Sequence, residues 1–215
     1  MKCDGMSCVD CANCTCLNEK GSYPEFCPTG NMDPEVLELV LEKYNEPENL
    51  KFMQTAASVE YDGYCKWPRV YETAVFAKRM GYKKLGIATC VGLIKESRTL
   101  AKILKSHGFE VYGIGCKVGH VLKTEVGIPE EYMEIGRSIC NPIMQAELLG
   151  RAGTELNIVV GLCVGHDTVF YKYSQAPVTT LISKDRVTCH NPAAVLYTAD
   201  GFYSKKLWGD EGKKE

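Results

Sequence analysis

Four cysteines in this 215-residue chain stand where an α/β sheet delivers its ligands. Cys90 closes the run 84–90, Cys116 closes 110–116, and Cys163 closes 156–163. Cys140 precedes Asn141-Pro142, a pair that starts helices. A Val-Gly turn follows three of them, at Val91-Gly92, Val118-Gly119 and Val164-Gly165. Ligands of open α/β sheets bind in the crevice beyond the carboxyl ends of the strands. Glycine there lets a bulky inorganic group approach the backbone, and successive turn amides suit an anionic guest. A helix start at Cys140 favours the thiolate. A single strand cysteine is ordinarily a small buried hydrophobe, but the recurrence of the pattern argues for one shared site.

Four thiolates hold an iron–sulfur cluster or a tetrahedral zinc ion. Cys90, Cys116, Cys140 and Cys163 are therefore the expected metal ligands of the sheet, with Gly92 and Gly165 shaping the cofactor's seat. His166 and Asp167 are expected beside the cofactor, as proton donors or as groups that orient a ligand. Helix capping is the bland alternative for both. A mixed set of Cys116, His120, Cys163 and His166 would favour zinc instead.

A second cysteine group opens the chain. Six of the twelve cysteines fall within the first 27 residues, among Gly, Asn, Asp, Ser and Pro. That segment has too little apolar content for a core, and a bound metal could staple it. Two ligand registers are open. Cys8, Cys11, Cys16 and Cys27 would make a zinc-ribbon-like set. Cys8, Cys11 and Cys14 with Cys27-Pro28 would follow bacterial ferredoxin spacing, and Cys3 could substitute in either.

The elements that must position these residues follow from pattern. Residues 1–32 form the cysteine-rich metal-binding segment. Residues 33–81 read as helical and packed on the core. Asp33-Pro34 starts the first helix over a stripe of Val36, Leu37, Val40 and Leu41. A second helix is expected over 48–57, and a third over 68–80, stopped at Gly81. From residue 82, strands (84–90, 110–116, 156–163, 178–183) alternate with helices (93–107, 142–152, 167–174), with a further short helix over 191–197. The stretch 119–137 is poorly patterned. Alternation of this kind predicts a Rossmann-like three-layer α/β fold with a mostly parallel sheet.

Composition limits the function classes. Apolar residues make up 45% and charged residues 24%, ordinary globular values. Net charge is −2 and no basic stripe offers a nucleic-acid footprint. Apolar runs are too short to span a bilayer. The first residues lack an apolar signal core, so a cytoplasmic location is expected. In a reducing compartment, clustered cysteines point to metal or redox work rather than disulfides. No G-x-G-x-x-G or Walker phosphate loop follows a strand. Lys184-Asp185-Arg186 could meet an anion, although a surface ion pair is the plainer reading. Gly161-Leu-Cys163-Val-Gly165 has the shape of a nucleophile elbow, and Asp185 and His190 follow in triad order. The spacing for such a cysteine hydrolase is poor.

The motifs Gly86-Ile-Ala-Thr-Cys-Val-Gly-Leu93, Cys140-Asn-Pro-Ile143, Gly161-Leu-Cys-Val-Gly-His-Asp167, Ala176-Pro-Val-Thr179, Lys184-Asp-Arg186 and His190-Asn-Pro192 resemble an uncharacterised metal-binding family. It is known as domain of unknown function 1847. The resemblance spans nearly the whole chain, including the Cys-x2-Cys-x4-Cys start, and so implies the register with Cys16. It also implies metal binding through cysteine. The expected function is thus a cysteine-ligated metal protein carrying an iron–sulfur cluster. Its work would be redox, sulfur transfer or cluster handling with a corresponding protein partner. The competing expectation is a zinc-stabilised binding module without catalysis.

Overall fold

The computed structural model describes residues 6–11, 15–17 and 22–208. Cys3 and Cys14 lie outside the described residues. The chain divides into two compact units, 1–58 and 59–215.

In the first unit, Cys8–Asp10 and Thr15–Leu17 form short 3-10 turns ahead of helix α1 (Pro34–Asn45). Asp33 caps α1 by accepting from the Glu35 amide at 2.9 Å, and Pro34 fills the first helical position. Helix α2 (Pro47–Gly63) runs through the boundary between the units. It is longer than the expected 48–57, because no helix breaker stands between Ala57 and Gly63.

The second unit is built on four parallel strands: β1 (Lys84–Thr89), β2 (Glu110–Gly115), β3 (Leu156–Val160) and β4 (Val178–Ile182). Their order is β2-β1-β3-β4. Leu85 stands opposite both Val111 and Leu156, which fixes the central register. The helices are α3 (Arg69–Met80), α4 (Ile94–Ser106), α5 (Pro142–Arg151) and α6 (His166–Tyr173). Two short helices, α7 (Ala193–Tyr197) and α8 (Ser204–Leu207), follow β4. The expected three-layer α/β fold is thus present, and its sheet is wholly parallel.

Strand alternation sorts the core into two faces. Leu85, Ile87, Leu156, Ile158 and Val160 pack with Ala74 and Ala77 of α3 and with Leu100 and Leu104 of α4. Ala88, Ile114 and Val159 pack on the other face with Ala146 and Leu149 of α5 and Phe170 of α6. All five residues of β3 are buried, as a strand covered on both sides requires.

The chain leaves β1 towards β2 on one side, then crosses to place β3 on the other. The strand order therefore reverses between β1 and β3, and loops from opposite faces diverge there to leave a crevice. Gly161 shapes its wall. It has φ +64°, and a β-carbon there would stand 2.1 Å from Leu93 Cδ1. Only glycine accommodates both the left-handed turn and that approach.

Candidate metal and ligand crevice

Each strand end delivers its cysteine by a local device. Cys90 follows β1, and its amide donates to the Val160 carbonyl at 3.1 Å, tying it to β3. Cys116 follows β2. The segment carrying Cys140 is held against it, because the Asn141 amide donates to the Cys116 carbonyl at 2.7 Å. Asn141 then caps α5, accepting from the Met144 amide at 3.1 Å. Cys163 does not end a strand. β3 stops at Val160, because Gly161 turns the chain, and Cys163 lies in the following loop. Its carbonyl accepts from the amides of His166 and Asp167 at 2.9 and 3.1 Å.

All four cysteines line one cavity of about 920 Å³, together with Gly92, His166, Lys117, Lys184 and Arg186. Cys90 and Cys116 are buried, at 9% and 2% exposure. Three thiols interact in sequence. The Cys90 thiol is lowered to about 5, chiefly by hydrogen bonding with Cys116, with Lys184 assisting. The Cys140 thiol is lowered to about 4 by Cys116, then by His166. Cys116 is pushed far up, because Cys140 and Cys90 on either side both draw on its proton. The Val91 amide also donates to Cys116 Sγ at 3.4 Å. These opposed shifts favour thiolates at Cys90 and Cys140 with the shared proton kept on Cys116.

Cys163 is held differently. Its sulfur accepts from Arg186 Nη2 at 3.0 Å. His166 faces Cys140, and hydrogen bonding with that thiol, then its negative charge, raises the imidazole's pKa, while its Nδ1 is buried without a partner. Among the described residues, no three His, Cys, Asp or Glu side chains form a group that could hold a single metal ion.

Not every expected residue reaches the crevice. Asp167 is absent from its lining, and the Asp167 carboxylate accepts from the Thr168 amide at 2.8 Å. Its role is local to the start of α6. Gly165 is the N-cap of α6 at φ +84° and also lies outside the lining. His120 is exposed and does not line the cavity, so the mixed set of Cys116, His120, Cys163 and His166 is not assembled. The triad geometry is not formed either. Asp185 Oδ1 accepts from the Val187 and Thr188 amides, at 2.8 and 3.0 Å, rather than from the imidazole. His190 Nδ1 accepts from the Asp185 amide at 3.1 Å, and His190 lines a different cavity.

Sequence reasoning missed the cations as partners of sulfur. Lys184 and Arg186 follow β4 beside Cys90 and Cys163. Asp185 between them serves a turn, so the expected Asp–Arg ion pair gives way to an Arg–sulfur contact. The signal available was position: a basic pair just past a parallel strand points to the same crevice. Sequence reasoning also missed the cover. Residues 121–139 close on themselves through an isolated bridge between Leu122 and Ser138. The Ile139 amide donates to the Val121 carbonyl at 2.9 Å. Within this loop, turns at Lys123–Val126 and Glu130–Ile135 supply much of the cavity wall.

In the first unit, Cys8, Cys11, Cys16 and Cys27 line one small cavity of about 90 Å³. The Cys27 thiol is lowered, first by the Gly30 amide.

A parallel sheet with cysteines gathered at its switch point defines an α/β protein with a thiol-lined crevice. The chain belongs to the family described as "Protein of unknown function (DUF1847)", which matches residues 27–181. That match takes in all four crevice cysteines and His166. An uncharacterised protein of Methanocaldococcus jannaschii is similar to it, 45% identical over 201 residues that cover 93% of this chain and 99% of the relative.

Proposed function

We propose that this chain is a cysteine-ligated metal protein with an iron–sulfur cluster in the sheet crevice. The carrying observation is that Cys90, Cys116, Cys140 and Cys163, from four separate segments, line one cavity. A thiol-rich cavity wall suits a polynuclear cluster, in which each iron takes its own thiolate, better than one ion that needs all its ligands at bonding distance. The donor set also fits an anionic cluster. Two thiols are already lowered. Lys184, Arg186 and Lys117 supply positive charge, the Val91 amide points at sulfur, and the partnerless His166 Nδ1 offers one more donor atom.

A cluster there would supply one-electron redox chemistry or a metal position for a sulfur or substrate atom. The chain's own residues do the rest. Arg186 holds the Cys163 sulfur through Nη2, while the 121–139 loop lines the cavity beside the cysteines. Work in redox, sulfur transfer or cluster handling in the cytoplasm follows from this reading. Among the described residues no helix is long and apolar enough to cross a membrane.

The N-terminal unit supports zinc as a separate, structural ion. Its four cysteines line a cavity about a tenth the size of the crevice. They are not gathered at bonding distance around one point, and a zinc ion would draw the four thiolates together and so staple this core-poor segment. Anaerobic purification followed by a visible spectrum and by iron, sulfide and zinc analysis tests both sites. Colourless protein with zinc alone would reject the cluster.

A further inference from the structure

We propose that the crevice also seats a small organic acid, one carboxylate joined to an apolar body, beside the cysteines. This names the class of substrate for the metal centre proposed above and rests on that reading for its chemistry, but not for binding.

Volume comes first. At about 920 Å³, the cavity lies near the top of the roughly 300–1,000 Å³ range of small-molecule sites. The cysteines and anything they hold occupy its floor. Much of the remaining wall is apolar: Val126, Ile128, Tyr132, Ile135 and Ile139 from the covering loop, with Ile143 from the start of α5. Several of these are exposed, Ile135 at 93% and Tyr132 at 57%. Apolar side chains left in water around one cavity mark a surface built for a ligand. The bridge and hydrogen bonds that pin the loop's ends hold that wall in place.

Charge sets the guest's polarity. Lys184 and Arg186 come from the floor, just past β4. Arg186 donates Nη2 to Cys163, and its planar fork carries further N–H donors suited to a carboxylate. The covering loop carries Glu131 and Glu134 against Lys123, and the Lys123 ammonium donates to the Tyr132 carbonyl. An acidic head therefore belongs at the floor. A second carboxylate among the loop side chains would meet Glu131 and Glu134. The site should thus prefer a monocarboxylate over a dicarboxylate of equal length.

The test is calorimetric titration of the anaerobically purified full chain with octanoate, suberate and octylammonium. Iron and sulfide are measured on the same batch. Octanoate should bind one to one, with suberate and octylammonium weaker by about tenfold or more. Ile135→Glu changes an exposed side chain away from the thiols. It should weaken octanoate about tenfold with unchanged iron, and Arg186→Gln should do likewise when compared at equal iron content. Iron-loaded protein that gives no saturable octanoate binding overturns the inference and spares the metal centre. So does equal binding of octylammonium, or affinity unmoved by Ile135→Glu. Octanoate binding with the expected selectivity in protein devoid of metal keeps the inference and removes the metal centre.

Discussion

Replacing Gly161 with alanine perturbs the wall of the crevice without touching a thiol. Two costs add. The residue sits at φ +64°, where a β-carbon costs about 1–2 kcal/mol. The new methyl would also stand 2.1 Å from Leu93 Cδ1 and 3.4 Å from its Cγ. Leu93 is only 4% exposed and packed in the core, so its δ-methyl cannot swing into water, and overpacking adds about 1–3 kcal/mol. The expected loss is about 2–5 kcal/mol, a large share of a typical domain's stability. Gly153→Ala isolates the backbone part, because Gly153 has φ +68° with nothing within 4 Å of the added carbon. Urea unfolding followed by tryptophan fluorescence reads the unit concerned, since the chain's two tryptophans, Trp67 and Trp208, both belong to residues 59–215. Gly161→Ala should exceed Gly153→Ala by about 1–3 kcal/mol. Equal losses in the two variants would refute the packing argument, and with it the reason the chain turns so tightly between β3 and Cys163.

Gly86→Ala should cost about 2–4 kcal/mol in the same assay, because the added carbon would meet Asn157 Oδ1 at 2.0 Å and break into the Thr154–Asn157–Ser174 hydrogen bonds. A loss below about 1 kcal/mol would mean the network relaxes freely. Cys116→Ser should lower crevice iron and sulfide while leaving N-terminal zinc unchanged, whereas Cys27→Ala should do the reverse, both read by elemental analysis. In metal-free protein, alkylation of Cys90 and Cys140, mapped by mass spectrometry, should persist at pH 6, where N-acetylcysteine slows about tenfold per pH unit. The sign follows from the lowered pKa values. These thiolates stabilise the metal-free fold fully above the ordinary thiol value near 9, and that contribution is lost as pH falls towards about 5 and 4. Alkylation that tracks the reference thiol would show that the three sulfurs do not share protons.

Local signals carried much of the fold. Gly81, Gly108 and Gly153 all adopt positive φ where helices were expected to stop. Asp33 and Asn141 cap where a short polar residue precedes proline. The strands fall within a few residues of their apolar runs: Cys90 and Cys116 stand one residue past their strands, whereas Cys163 stands three past β3, because an apolar Leu162 hid the turn at Gly161. The convergence of distant cysteines was legible because a parallel sheet sends every carboxyl end to one edge. Side-chain direction was not. Nothing local distinguishes Asp167, which serves its own helix start, from His166, which reaches the cavity. The covering loop escaped pattern reading because 3-10 turns have neither the period of a strand nor that of a helix. Its apolar residues face a cavity rather than a core.

The spread of the crevice cysteines along the chain has a consequence for biogenesis. Between Cys90 and Cys163 the chain makes the crossings from β1 to β2 and from β2 to β3. An emerging nascent chain therefore cannot present these sulfurs together before β3 has been threaded beside β1. The early group from Cys8 to Cys27 spans a short loop whose closure costs little, and it can be gathered while the ribosome is still at work. Any inorganic guest of the sheet must arrive after translation is nearly complete, through whatever delivers it to an already folded acceptor.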